Sequence, residues 1–294
     1  MGLLTGAPAR LGTHLPAAGR LATVPQRAAE LGAASVQVFL SNPRGWALTP
    51  GDPAADASFR EAAGQRSMTV LVHAPYLVNL GSPTQLTYAR SRAAVAHALR
   101  RGRDIGAAGV VVHTGSGVQA GGHDVALKQV REALLPLLDG LDDDSPDVLL
   151  EPTAGQGRSL CATIDDLAEY LDALEGHPRA RVCLDTCHAF AAGHDLAPAG
   201  AMTAALDRLV DLAGDGRLAA VHANDSMDVC GSLRDRHARI GEGHIGVAPF
   251  GELLAHPAVA GLPVVLETPG GPEAYAADLA VLAKLQSRAD GPEM

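Results

Sequence analysis

The sequence predicts an α/β fold: a single (β/α)8 TIM barrel over residues 1–294, with its active site at the C-terminal ends of the strands. Three observations predict it. Short runs rich in β-branched residues alternate eight times with longer Ala-, Leu- and Arg-rich stretches of helical period. Gly and Pro punctuate the junctions. No G-x-G-x-x-G follows the first strand run, which places the open doubly wound sheet behind the closed barrel.

In chain order the strand runs are 10–14, 35–40, 68–73, 109–113, 147–151, 181–185, 218–222 and 263–267. Helical stretches between them include 23–31, 84–102, 126–138, 164–174, 201–213 and 273–285. Such alternation lays the strands parallel with helices over them, and eight units close a barrel. No linker or low-complexity block interrupts the pattern, and the residues from about 287 read as a frayed tail.

Composition narrows the function. At 47% hydrophobic the 294-residue chain has material for a large core, which excludes global disorder. A formal charge of −10 argues against a protein that grips nucleic acid through a basic coat. It leaves open an anionic cleft that loads cations. Aromatics at 3% disfavour a stacking platform for single strands. The only lysines are Lys128 and Lys284, so positive charge is carried by arginine, which suits phosphate. The four cysteines form no Cys-x-x-Cys pair and read as reduced, mostly buried thiols. No apolar run is long enough to span a bilayer, and the first residues lack a leader pattern, so the expected location is cytoplasmic.

The strand ends carry the chemistry. Six consecutive runs end on a metal-ligand type: His73, His113, Glu151, Asp185, His222 and Glu267, 34 to 45 residues apart. In a parallel barrel these ends converge on one mouth. Buried there, imidazoles and carboxylates are costly unless cations pair with them. A mixed N/O set suits zinc, manganese or iron and not calcium. Two loops add more: Asp185-Thr186-Cys187-His188, and Asp235-Arg236-His237 within 224–246. Asp235 and His237 fall on one side of an extended segment. Nine candidates exceed the three protein ligands of one catalytic zinc; a bridged pair plus a third ion uses them all. Clustered metals make phosphoester hydrolysis the natural chemistry.

These residues sit in stretches that resemble the endonuclease IV family, the zinc-dependent apurinic/apyrimidinic endonucleases of DNA base-excision repair. The stretches begin with Gly12-Thr13-His14-Leu15-Pro16-Ala17-Ala18-Gly19, Asn42-Pro43-Arg44-Gly45-Trp46 and His73-Ala74-Pro75-Tyr76-Leu77-Val78-Asn79-Leu80. They continue through His113-Thr114-Gly115-Ser116, the run from Glu151 to Gly157, the run from Asp185 to Asp195 and His222-Ala223-Asn224-Asp225. Asp235-Arg236-His237, Gly241-Glu242-Gly243-His244-Ile245-Gly246 and Leu266-Glu267-Thr268-Pro269 complete the series in family order.

The resemblance implies three zinc ions, with manganese or iron as substitutes. One would take His73, His113 and Glu151; a second Glu151, Asp185, His222 and Glu267; the third His188, Asp235 and His237. It implies attack of an activated water on the phosphorus 5′ to an abasic sugar, leaving a 3′-hydroxyl and a 5′-deoxyribose phosphate. Glu267, with Glu151 and Asp185, would be catalytic. The implied partner is duplex DNA containing abasic sites, with no membrane and no obligate protein partner. Arg44, Tyr76, Leu77, Asn79 and Arg236 would contact the DNA. An abasic nucleotide has already lost its stacking, so extruding it costs little. Thr114, Pro152 and the pair Ala74-Pro75 depart from the family pattern, which bears on rate and loop rigidity.

Other histidines read plainly. His97, His123, His177 and His256 are expected in solvent, and His14 as a hydrogen-bonding neighbour of the site. Two further functions compete: a metal-dependent sugar isomerase or epimerase on a related barrel, and a damage-binding protein without turnover. Neither requires all nine ligand types together.

Overall fold

The computed structural model describes residues 7–17, 20–117 and 122–289. Ala18 and Gly19 of the first family-like stretch, and 290–294 of the expected tail, lie outside them. Among the described residues, eight parallel strands close a barrel. They are β1 (Arg10–His14), β2 (Ser35–Val38), β3 (Thr69–His73), β4 (Gly109–His113), β5 (Asp147–Glu151), β6 (Ala180–Asp185), β7 (Leu218–His222) and, after a small ribbon, β10 (Pro263–Leu266). Closure is made by β1 on β10, with Arg10 opposite Pro263 and Thr13 opposite Leu266. Gly12 is needed at the β1–β2 seam, because a Cβ there would lie 2.1 Å from the Ser35 carbonyl oxygen.

The helices are α1 (Val24–Glu30), α2 (Pro53–Gln65), α3 (Gln85–Ile105), α4 (His123–Asp139), α5 (Asp166–Ala173), α6 (Thr186–Ala191), α7 (Ala201–Ala213), α8 (Ala248–Ala255) and α9 (Gly271–Ala289). Asp52 caps α2 by accepting from the Ala54 N–H, with Pro53 in the first turn. Gly106, at φ +74°, ends α3.

Several expectations change. The segment after Asp185 is helix α6, not a loop: the Asp185 carboxylate accepts from the His188 N–H and caps it. The loop 224–246 contains a two-stranded antiparallel ribbon, β8 (Asp225–Ser226) with β9 (His237–Ala238). α9 continues through 287 to Ala289, where fraying was expected to begin. His97 and His256 are buried rather than solvated. All four cysteines are free, and Cys161, Cys183 and Cys187 are buried. No helix among the described residues is long and apolar enough to cross a membrane.

Candidate metal centre at the barrel mouth

The pleat of the strands builds the site. Leu71, Val111, Leu149, Cys183, Ala220 and Val265 form a buried cluster separate from the main core between sheet and helices. Their strand neighbours, such as Val70, Val72, Val110 and Val112, belong to that outer core. The cluster therefore fills the barrel interior. His73, His113, Glu151, Asp185, His222 and Glu267 each lie two residues beyond one of its members. Side chains alternate faces along a strand, so all six point inward, one layer above an apolar plug.

They meet in overlapping groups whose ligand atoms lie within 4.8 Å of one another: His73, His113 and Glu151; Glu151, Asp185, His222 and Glu267; Asp185, His188 and His237; and Cys187, Asp235 and His237. Glu151 is the hub. Its Oε2 lies 3.2 Å from the Nε2 of both His73 and His113, and its Oε1 lies 2.9 Å from His222 Nδ1. Asp235 Oδ1 stands 3.3 Å from His188 Nε2 and 3.0 Å from His237 Nε2.

Four of the five imidazoles commit one ring N–H to a carbonyl oxygen. His73 Nδ1 donates to the Ala74 carbonyl (2.6 Å), His188 Nδ1 to Pro152 (3.1 Å), His237 Nδ1 to Glu267 (3.3 Å), and His222 Nε2 to the Gln37 side-chain oxygen (2.9 Å). In the neutral ring the remaining nitrogen is then an acceptor, and it faces a carboxylate, also an acceptor. Such contacts hold only if a proton or a metal cation lies between them. A donor set of imidazole nitrogens and carboxylates, with four of the five rings oriented from behind, fits divalent zinc, manganese or iron. His237 Nε2 is buried without a hydrogen-bond partner of good geometry, as a ligand nitrogen is before it takes its ion.

Proton affinities agree. Burial opposes the charge on His188, but Asp185 and Asp235 raise its pKa to about 10. Burial likewise opposes the charge on His237, and Asp185 and Asp235 raise it to about 9. Burial would raise Glu151, yet His222 and His113 hold it well below the usual carboxylate range. The positions that favour a proton are those that a divalent cation fits.

Three supporting residues were not singled out from the sequence. Gln37, on β2, donates from Nε2 to Glu267 Oε1 (2.8 Å) and accepts from His222. Its signal was a lone amide between Val36 and Val38. Asn224 donates to Asp185 Oδ2 (2.8 Å) and accepts from the Glu267 N–H (2.9 Å). Asp225 accepts from the backbone N–H groups of Ser226, Gly241, Gly243, Ile245 and Gly246, which folds 241–246 around one carboxylate. Gly243 permits that wrap, since a Cβ would lie 2.3 Å from the Ser226 carbonyl oxygen. His14, as expected, touches the site: its Nδ1 is 2.8 Å from Glu267 Oε1.

Arg44, Tyr76, His113, His188, Asp235, His237, Glu267 and Pro269 line a cavity of about 380 Å³ over the cluster. Tyr76, in its wall, is 48% exposed, and Leu77, the next residue, 37%. Asn79 is used internally: its side-chain oxygen accepts from the N–H groups of Gly81 and Ser116 and its amide donates to the Ser116 carbonyl. Arg236 is exposed and paired with Asp228. A larger cavity of about 990 Å³ lies behind Phe39, but none of the ligand clusters lines it.

Residues 25–285 match a family described as a xylose isomerase-like TIM barrel. The chain is 56% identical over 278 residues to the probable endonuclease 4 of Streptomyces coelicolor, covering 94% of this chain and 95% of that one. It is 37% identical to the probable endonuclease 4 of Halorhodospira halophila, covering 92% and 91%. The crystal structure of endonuclease IV from Thermus thermophilus superposes with a TM-score of 0.83 at 34% identity, covering 95% of this chain and 99% of that one. An L-ribulose 3-epimerase shares the fold, with a TM-score of 0.70 at 16% identity and 96% of each chain covered.

Proposed function

The chain belongs to the endonuclease IV family, and on that premise we propose that it is a single-domain, cytoplasmic DNA-repair nuclease that hydrolyses the phosphodiester 5′ to an abasic site in duplex DNA. The products are a 3′-hydroxyl and a 5′-deoxyribose phosphate, and the same centre serves to trim blocked 3′ ends. The observation that carries this reading is the ring of five imidazoles aimed at carboxylates, four of them oriented from behind by a carbonyl oxygen.

His73, His113 and Glu151 would hold one zinc; Glu151, Asp185, His222 and Glu267 a second; and His188, Asp235 and His237 a third. Manganese or iron suits the same donors. Bound there, such ions supply Lewis acidity toward a phosphate and lower the pKa of water. The chain's own groups do the rest. Glu267 has one oxygen held by His14 and Gln37, while its Oε2 faces the cluster 3.3 Å from His222 Nδ1, where it orients the attacking water and takes its proton. Glu151 and Asp185 hold the cluster together from the centre. Arg44 offers an exposed guanidinium to a backbone phosphate at the cavity wall. Tyr76 and Leu77 project where a base is missing and exclude water from the mouth. Asn79 acts by holding that loop to Ser116, and Arg236 by presenting a guanidinium tethered to Asp228. With a net charge of −10, affinity rests on these local groups.

The test is a duplex with one tetrahydrofuran abasic analogue, incubated with the zinc-loaded protein. A single nick 5′ to the analogue, absent from intact duplex, is expected. Binding without a nick would leave only a damage-binding protein, and conversion of a ketose with no nick would make it an epimerase.

A further inference from the structure

Two strands give the mouth no metal-ligand candidate: β1 and β2. They give it His14 and Gln37 instead. Gln37 is fully buried, and its amide is used at both ends. Its oxygen accepts from His222 Nε2 at 2.9 Å, and its nitrogen donates to Glu267 Oε1 at 2.8 Å. His14 Nδ1 reaches the same Glu267 oxygen at 2.8 Å. One oxygen of Glu267 is thereby held by the strand pair, and Oε2 is left toward His222 Nδ1 at 3.3 Å. Only a side chain carrying an acceptor and a donor on one carbon serves an imidazole N–H and a carboxylate together.

We propose that Gln37 is a positioning residue that sets two groups at once: it fixes His222 with its proton on Nε2 and its Nδ1 toward the carboxylates, and it holds Glu267 with Oε2 facing the cluster. Gln37 therefore governs how firmly the ion shared by Glu151, Asp185, His222 and Glu267 is kept, and how well Glu267 works on water. This rests on the metal reading above. The bonding partners of ligand residues set affinity and turnover by about 10- to 100-fold in such sites.

The experiment compares full-length, zinc-loaded wild type with Gln37→Met, which keeps the volume and removes both bonds, and with Gln37→Glu. The glutamate still accepts from His222 but repels Glu267. Three quantities are read: zinc retention against a chelator, kcat and KM on the tetrahydrofuran duplex, and the slowly exchanging Nε2–H proton resonance of His222. Gln37→Met is expected to lose about 10- to 100-fold in zinc retention and in kcat, to leave KM within about twofold, and to lose the resonance. Gln37→Glu is expected to keep the resonance while kcat falls. Should Gln37→Met not fold, Gln37→Glu decides alone. Wild-type kcat and zinc retention in the variants, or an unchanged resonance in Gln37→Met, overturn the proposal while the metal reading stands. A wild-type protein that neither retains zinc nor nicks the duplex overturns both.

Discussion

The two rims of this barrel handle charge in opposite ways: the bottom-rim charges are half-buried, and most of those at the mouth are buried. At the bottom, arginines meet the backbone. Arg217 donates to the carbonyls of His177 (2.6 Å) and Ala180 (2.9 Å), Arg181 to Gly216 (2.9 Å), and Arg179 to Asp142 (3.0 Å), while Arg179 and Arg181 also pair with Asp147. Each of these acceptors finds a guanidinium that the chain itself supplies. At the mouth, acceptors face acceptors. Glu151 meets three imidazole nitrogens at 2.9 to 3.2 Å, and Asp235 meets two at 3.0 and 3.3 Å. Among the described residues, only Arg44 of the lysines and arginines lines the cavity over them. These bottom-rim groups pair within the chain, whereas on the proposed reading those of the mouth pair with cations from outside.

The comparison can be broken from either end. The largest effect is expected at the mouth: Glu267→Gln should lower kcat by about 10²- to 10⁴-fold while duplex affinity stays within a few-fold, measured by single-turnover cleavage and by binding under non-cleaving conditions. Next, His113→Ala should lose metal from the cluster with His73 and Glu151 and lower incision by at least about 10- to 100-fold, with elemental analysis and nicking read on the same sample. Unchanged metal content in that variant would remove His113 from the ligand set. At the bottom, Arg217→Ala should cost about 1–2 kcal/mol of stability through its lost carbonyl bonds, measured by denaturant melting. It should leave zinc content and kcat per folded molecule as they were. A bottom-rim variant that loses zinc would erase the distinction between the rims.

Much of this was legible in the residues. The six strand ends could be read because ligand and plug obey one rule: His73 follows Leu71, and Glu151 follows Leu149, at the two-residue spacing of a strand. The strand limits at 10–14, 109–113, 147–151 and 218–222 agree with the structure for the same reason. Less legible were features set by long-range contact. α6 starts directly after Asp185, whose carboxylate caps the helix as well as facing the cluster, so the segment looked like a loop. The ribbon of β8 and β9 is two residues per strand and is held by Asp225, which the chain places ten residues before Asp235. Gln37 gave no hint of its partners, which lie on β7 and just past β10. His97 sits on a helix whose buried face includes it, where its polarity suggested solvent.

The most direct test is a zinc titration of the metal-free protein at several pH values, with bound metal counted and proton release followed. Without metal, His188 and His237, raised to about 10 and about 9, hold protons at neutral pH, so each must yield its proton to an incoming ion. The account predicts more than one zinc per chain, three by family resemblance, with protons released on binding. Affinity should weaken as pH falls, by up to about tenfold per pH unit for each proton displaced. A single loosely held ion, or uptake without proton release and indifferent to pH, would contradict it.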